Sequence, residues 1–162
     1  MAQNVANIVA RDIMVTRLVT LSPDMDVFKA IEMLVKNKIS GAPVVDAQKR
    51  LLGVFSEKCC MQVLIDAAYE GLPANRVEVF METDPRTAAE ETSLLSIAQV
   101  FLITPRRRLP VVRDGILVGQ ISRRDVIRHA IKTVQNKSID RGENSLLYLS
   151  AIREMNDAPM KN

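Results

Sequence analysis

The chain has 162 residues, 48% of them hydrophobic and 25% charged, with a net charge of +3. That length suits one compact unit or two small ones packed together, and at roughly 68–70% burial of its unfolded surface it folds without needing a disulfide or metal. Scarce aromatics and no Trp argue against a base-stacking nucleic-acid surface, the apolar runs fall short of the ~20 residues of a membrane span, and Arg11 and Asp12 interrupt the stretch where a secretion signal needs apolar residues. The expectation is a cytoplasmic protein with neither a nucleic-acid nor a membrane partner.

Along the chain, Val19 to Leu21 reads as a short extended piece. Asp26 is an N-cap candidate for a helix on which Val27, Ala30, Ile31 and Leu34 fall at i, i+3, i+4 and i+7. Two β-rich pieces, "APVVD" and "LLGVFS", follow around a polar turn, and a second helix runs from about Glu57 to Tyr69. "EGLPANR", residues 70 to 76, is a linker. The order then recurs: an extended Arg86 to Ala88, the cap candidate Ser93, and a helix with Leu94, Ile97, Ala98 and Phe101 in register that Pro105 stops. "LPVVRD" and "ILVGQIS" come next, then a helix from Arg123 to about Val134. The tail, 136–162, starts polar, and a helix at about 145–156 would align Leu146, Leu149, Ile152 and Met155.

The recurrence extends to identities. A shift of 67 places Met14 on Met81, Thr16 on Thr83, Thr20 on Thr87, Pro43 on Pro110, Val44 on Val111 and Val45 on Val112. A shift of 66 then places Leu51 on Leu117, Gly53 on Gly119, Ser56 on Ser122 and Ile65 on Ile131, one residue having been lost in the hairpin turn. The chain is a tandem duplication of a β-α-β-β-α unit, 8–70 and 76–135. Each unit alone has too small a core to be comfortable, so the expected fold is α+β, with the two repeats packed sheet to sheet about a pseudo-two-fold axis and a cleft between them.

The duplicated phrase "GVFSEKC", residues 53 to 59, and "GQISRRD", residues 119 to 125, differ at their last chemical group. An aspartate carboxylate is a charged acceptor of two or more hydrogen bonds, whereas a thiol is a weak partner. Ser-x-x-Asp at a strand-to-helix junction is also a capping-box pattern. With "ISGAPVVD" and "RRLPVVRD", these phrases resemble a pair of cystathionine β-synthase (CBS) domains over residues 8 to 135. The resemblance implies a regulatory, non-catalytic module that binds an adenosine-containing ligand (AMP, ADP, ATP or S-adenosylmethionine) between its repeats, contacts ribose through Ser122 and Asp125, and dimerises through its helices.

Around that motif the expected ligand site takes in Thr87, Pro110 and Val111, with Arg106, Arg108 and Arg124 as phosphate partners, drawn from a cluster that includes Arg107 and Arg123. Ser56 and Cys59 mark the altered copy. Val63, Leu64, Ala67 and Ala68 form an apolar helix face that predicts a homodimer, and an effector protein is an expected partner. Alternatives are a ligand-free dimerisation scaffold and an enzyme or redox switch based on Cys59. Cys59 and Cys60 are adjacent, too close for a usual disulfide, and they lack the histidines of a zinc site. His129 has no evident partner in sequence.

Overall fold

The structure is a computed structural model that describes residues 7–69, 71 and 75–140, with side chains as far as 133. The expected tail helix at 145–156 lies outside the described residues. Repeat 1 comprises helices α1 (Ala10–Ile13) and α2 (Val27–Asn37), strands β1 (Gly41–Val45) and β2 (Leu51–Ser56), and helix α3 (Glu57–Tyr69). Repeat 2 comprises α4 (Val77–Phe80), β3 (Ala88–Ala89), α5 (Leu94–Ile103), β4 (Arg108–Arg113), β5 (Ile116–Ser122) and α6 (Arg123–Asp140). The fold is α+β, and no described helix is long and apolar enough to cross a membrane.

Local chemistry accounts for the main boundaries. The Asp26 carboxylate accepts hydrogen bonds from the backbone N–H groups of Phe28 and Lys29, and Ser93 Oγ accepts from Ser96 N–H, so both predicted caps satisfy otherwise orphan donors. Helix α2 ends at Lys38, in the left-handed region at φ 53°, and α5 ends one residue before Thr104 and Pro105. The β4–β5 hairpin turns through Asp114 and Gly115 at φ 51° and 80°, the pair of positive φ values that matches strand twist in a two-residue turn. Helix α6 continues to Asp140 rather than stopping near Val134; no Gly or Pro intervenes between Arg123 and Asp140 to end it.

The two sheets are pseudo-symmetric and unequal. Strand β4 pairs antiparallel with β5 and parallel with β3, whereas β1 forms a two-stranded antiparallel sheet with β2. The counterpart of β3 in repeat 1 shrinks to a single parallel bridge, Leu21 to Val44.

The four-residue helices α1 and α4 occupy equivalent places in the two repeats and were not expected, being too short to show a 3.6-residue period. They are the device that joins the halves. Ile8, Ala10 and Ile13 are buried in the core of repeat 2 with Ala88, Leu94, Ile97, Leu109, Val111 and Ile121. Val77 is buried in the core of repeat 1 with Leu21, Val27, Leu34, Val44 and Phe55. Backbone bonds secure both crossings: Ala10 N–H donates to Thr92 C=O at 2.8 Å, and Val77 N–H donates to Met25 C=O at 3.0 Å. Each repeat's core is therefore completed by the other repeat's leading segment, which supports burial that neither could achieve alone.

Candidate functional site

The crossings set two clefts between the repeats. As each leading segment reaches across, it runs beside the other repeat's strand-to-helix junction. Val15 exchanges two backbone hydrogen bonds with Gln120 (2.9 and 3.0 Å), and Glu82 does the same with Val54 (2.9 Å each). Beside these bridges lie two cavities, one of about 280 Å³ and one of about 1050 Å³, with Gly41, Arg108 and Gln120 bordering both. Small-molecule sites commonly span about 300–1,000 Å³, so the two lie at opposite ends of that range.

The smaller cavity holds the intact motif. Ser122 and Asp125 face Val15, Arg17, Leu18 and Val19 of the leading segment and Ile39 from the turn before β1. Asp125 is 8% exposed. Its Oδ2 accepts the Ser122 hydroxyl at 2.6 Å and the Ser122 N–H at 2.8 Å, while Ser122 Oγ accepts the Asp125 N–H at 3.2 Å. This is a reciprocal capping box at the start of α6. The second oxygen, Oδ1, lies 3.5 Å from the Arg128 guanidinium. The motif thus caps the helix with one oxygen and leaves the other with acceptor capacity.

In repeat 1 the same spacing brings Ser56 Oγ within 3.4 Å of Cys59 Sγ, a weak contact with no charged acceptor. Ser56, Glu57 and Lys58 line the larger cavity. Burial, then the neighbouring Cys59, pushes the Cys60 thiol above its ordinary range, so Cys60 remains a protonated packing residue. His129 sits one turn after the motif, its Nδ1 2.9 Å from the Asp125 carbonyl. Among the described residues no cluster of three His, Cys, Asp or Glu side chains could hold a metal.

Thr87, Pro110, Arg106 and Arg108 line the larger cavity, with Arg86, Arg107 and Lys58. They do not join Ser122 and Asp125 in one site as expected; only Arg108 borders both, because it pairs with Ser122 across the β4–β5 ladder. Val111 is fully buried in the repeat 2 core and lines neither cavity. Arg124 also lines neither, lying on an exposed turn of α6. Arg123 donates to the carbonyls of Phe101 (3.1 Å) and Thr104 (3.0 Å), closing the C-terminal end of α5 where a cation is favoured. Arg106 pairs with both carboxylate oxygens of Glu82, one at 3.1 Å.

The CBS-domain model matches residues 10–66 and again 77–132. The chain belongs to the CBS-domain family. CBSX2 of Arabidopsis thaliana, solved in complex with AMP, is 32% identical with a TM-score of 0.70, the match covering 76% of this chain and 96% of that chain. The acetoin utilization protein AcuB of Vibrio cholerae is 26% identical with a TM-score of 0.71, covering 83% and 98%. The chloroplastic CBSX1 of A. thaliana is 31% identical over 141 residues, covering 69% of this chain and 58% of CBSX1. The CBS pair spans 14 to 58% of the length of the first curated relatives it matches.

Sequence reasoning missed Arg17, Leu18, Val19, Ile39 and Gln120 around Asp125, and Glu82, Asp84 and Arg86 in the larger cavity. The repeat alignment held the signal. Arg17, Leu18 and Val19 are the counterparts of Asp84, Pro85 and Arg86, and Ile39 is the counterpart of Arg106. What the alignment does not show is that each leading segment serves the opposite repeat's motif.

Proposed function

We propose that this CBS pair is a regulatory, non-catalytic sensor that binds an adenosine-containing ligand at Asp125. The carrying observation is that the buried Asp125, whose Oδ2 is committed to the helix cap, lines a cavity between the repeats, leaving Oδ1 with acceptor capacity beyond its 3.5 Å approach to Arg128. That oxygen can accept from a ribose hydroxyl, Val15, Leu18, Val19 and Ile39 offer an apolar surface for a base, and Arg108 lies between this cavity and the larger one to receive a phosphate. CBSX2 in complex with AMP supports AMP, ADP or ATP as the ligand class, with S-adenosylmethionine as a second adenosyl candidate. A ligand that favours one arrangement of the repeats would shift the population towards it and signal to a partner protein.

Asp125→Ala is expected to weaken AMP or ATP binding by about tenfold or more, since a hydrogen bond to a charged group contributes about 1.5–3 kcal/mol. The cap is lost as well, so stability should fall by about 1 kcal/mol in any case. Affinity is the deciding readout. Calorimetry showing wild-type affinity in a merely less stable variant would falsify the ribose assignment and leave Asp125 as a cap.

The same reading includes a homodimer. Val63 is buried in the core, contrary to its expected place on the outer face of α3; the exposed apolar side chains there are Met61, Leu64 and Ile65. Ile127 and Ile131 of α6 are the counterparts of Met61 and Ile65, and they too are at least half exposed. Exposed stripes on both helices support helix-to-helix association. Light scattering is expected to give a dimer for the wild type and a monomer for Leu64→Glu/Ile131→Glu; a wild-type monomer at high micromolar concentration would end this proposal.

A further inference from the structure

Among the equivalent positions at which the two cavities differ are 15/82 and 39/106. Where the smaller has Val15 beside Ile39, the larger has Glu82 beside Arg106. Glu82 belongs to the segment leading into repeat 2, and its backbone is fixed to Val54 of β2 by two 2.9 Å hydrogen bonds. Arg106 belongs to the turn between α5 and β4. The carboxylate meets the guanidinium through both of its oxygens, the bidentate geometry with which arginine also takes a phosphate. Arg106 is 30% exposed at its side chain, so it is open to exchange with a solute.

We propose that Glu82 is a specificity-determining residue of the larger cavity, an internal anion that occupies Arg106 and must be displaced by a ligand phosphate. This rests on the reading that the cavity's arginines receive phosphates. A singly charged anion offers Arg106 little that Glu82 does not already supply. A di- or triphosphate engages Arg106 together with Arg107 and Arg108, and so outcompetes a single carboxylate that also repels it. Glu82 therefore selects against weakly charged ligands and for polyphosphates. The neutral Val15–Ile39 pair has no such effect on the smaller cavity.

Inorganic pyrophosphate and ATP serve as probes, titrated by calorimetry into the full chain and into Glu82→Gln, Arg106→Met and Asp125→Ala. Glu82→Gln keeps the side chain's size and the backbone bonds to Val54, and its unfolding midpoint is measured alongside to show that it folds. Pyrophosphate should bind Glu82→Gln on the order of tenfold more tightly than wild type, with a smaller preference over inorganic phosphate. Arg106→Met should bind it on the order of tenfold more weakly, and Asp125→Ala should leave pyrophosphate binding unchanged while losing ATP. Unchanged or weaker pyrophosphate binding in Glu82→Gln overturns the exchange. If Arg106→Met still loses affinity in that case, phosphate binding at the arginines survives and only the role of Glu82 fails. If neither variant changes affinity, phosphate binding in this cavity fails with it.

Discussion

Repeat 1 and repeat 2 carry the same elements in the same order, yet the two cavities they build are chemically opposed. The one served by the intact motif of repeat 2 is small and lined by Val15, Leu18, Val19 and Ile39 together with Arg17, Arg108 and the buried Asp125. The one served by the altered motif of repeat 1 is nearly four times larger and lined by five basic and three acidic side chains. A pseudo-two-fold axis preserves backbone geometry and leaves the side chains free to diverge. The two cavities thus differ in side chains at 15/82 and 39/106, and the motifs beside them differ at 125/59.

The largest expected effect comes from exchanging the residue that most separates the two. Asp125→Cys should reproduce the repeat 1 junction and reduce nucleotide affinity by about tenfold or more. Cys59→Asp should build a capping box with Ser56 and place a carboxylate beside the larger cavity, adding a second nucleotide per chain. Calorimetric stoichiometry reads this directly. A Cys59→Asp variant that folds yet binds no second nucleotide would show that size and charge, rather than the missing carboxylate, distinguish the cavities.

A smaller effect separates the glycines that let the leading segments cross. A Cβ at Gly53 would lie 2.5 Å from the Glu82 carbonyl oxygen, whereas one at Gly119 would meet Met14 Sδ at 2.5 Å and Cγ at 2.8 Å. Backbone held by paired hydrogen bonds cannot retreat, but a methionine side chain can adopt another rotamer. Gly53→Ala should therefore cost about 1–3 kcal/mol in denaturant unfolding and Gly119→Ala less. Equal losses would mean that Met14 is held as rigidly as the Glu82 backbone.

Much of the fold was legible before any coordinates. The apolar periodicity marked α2 and α5 because their buried residues recur on one face, and Asp26 and Ser93 marked the starts because short polar side chains satisfy orphan N–H groups. The paired phrases at 53–59 and 119–125 marked the strand-to-helix junctions, and the difference between Asp125 and Cys59 marked the asymmetry. The helices α1 and α4 were not legible, since four residues carry no detectable period.

By itself the sequence determined the duplication, the elements and which motif retains a carboxylate, because these depend on local propensity and on comparing one half of the chain with the other. Only the tertiary structure decided which residues share a cavity. The leading segments cross over because each apolar core needs the other repeat's Ile8, Ala10 and Ile13 or Val77 to close. That crossing carries Thr87 and Glu82 to Ser56, and Val15 and Val19 to Asp125. Long-range burial made the assignment, and no spacing along the chain encodes it.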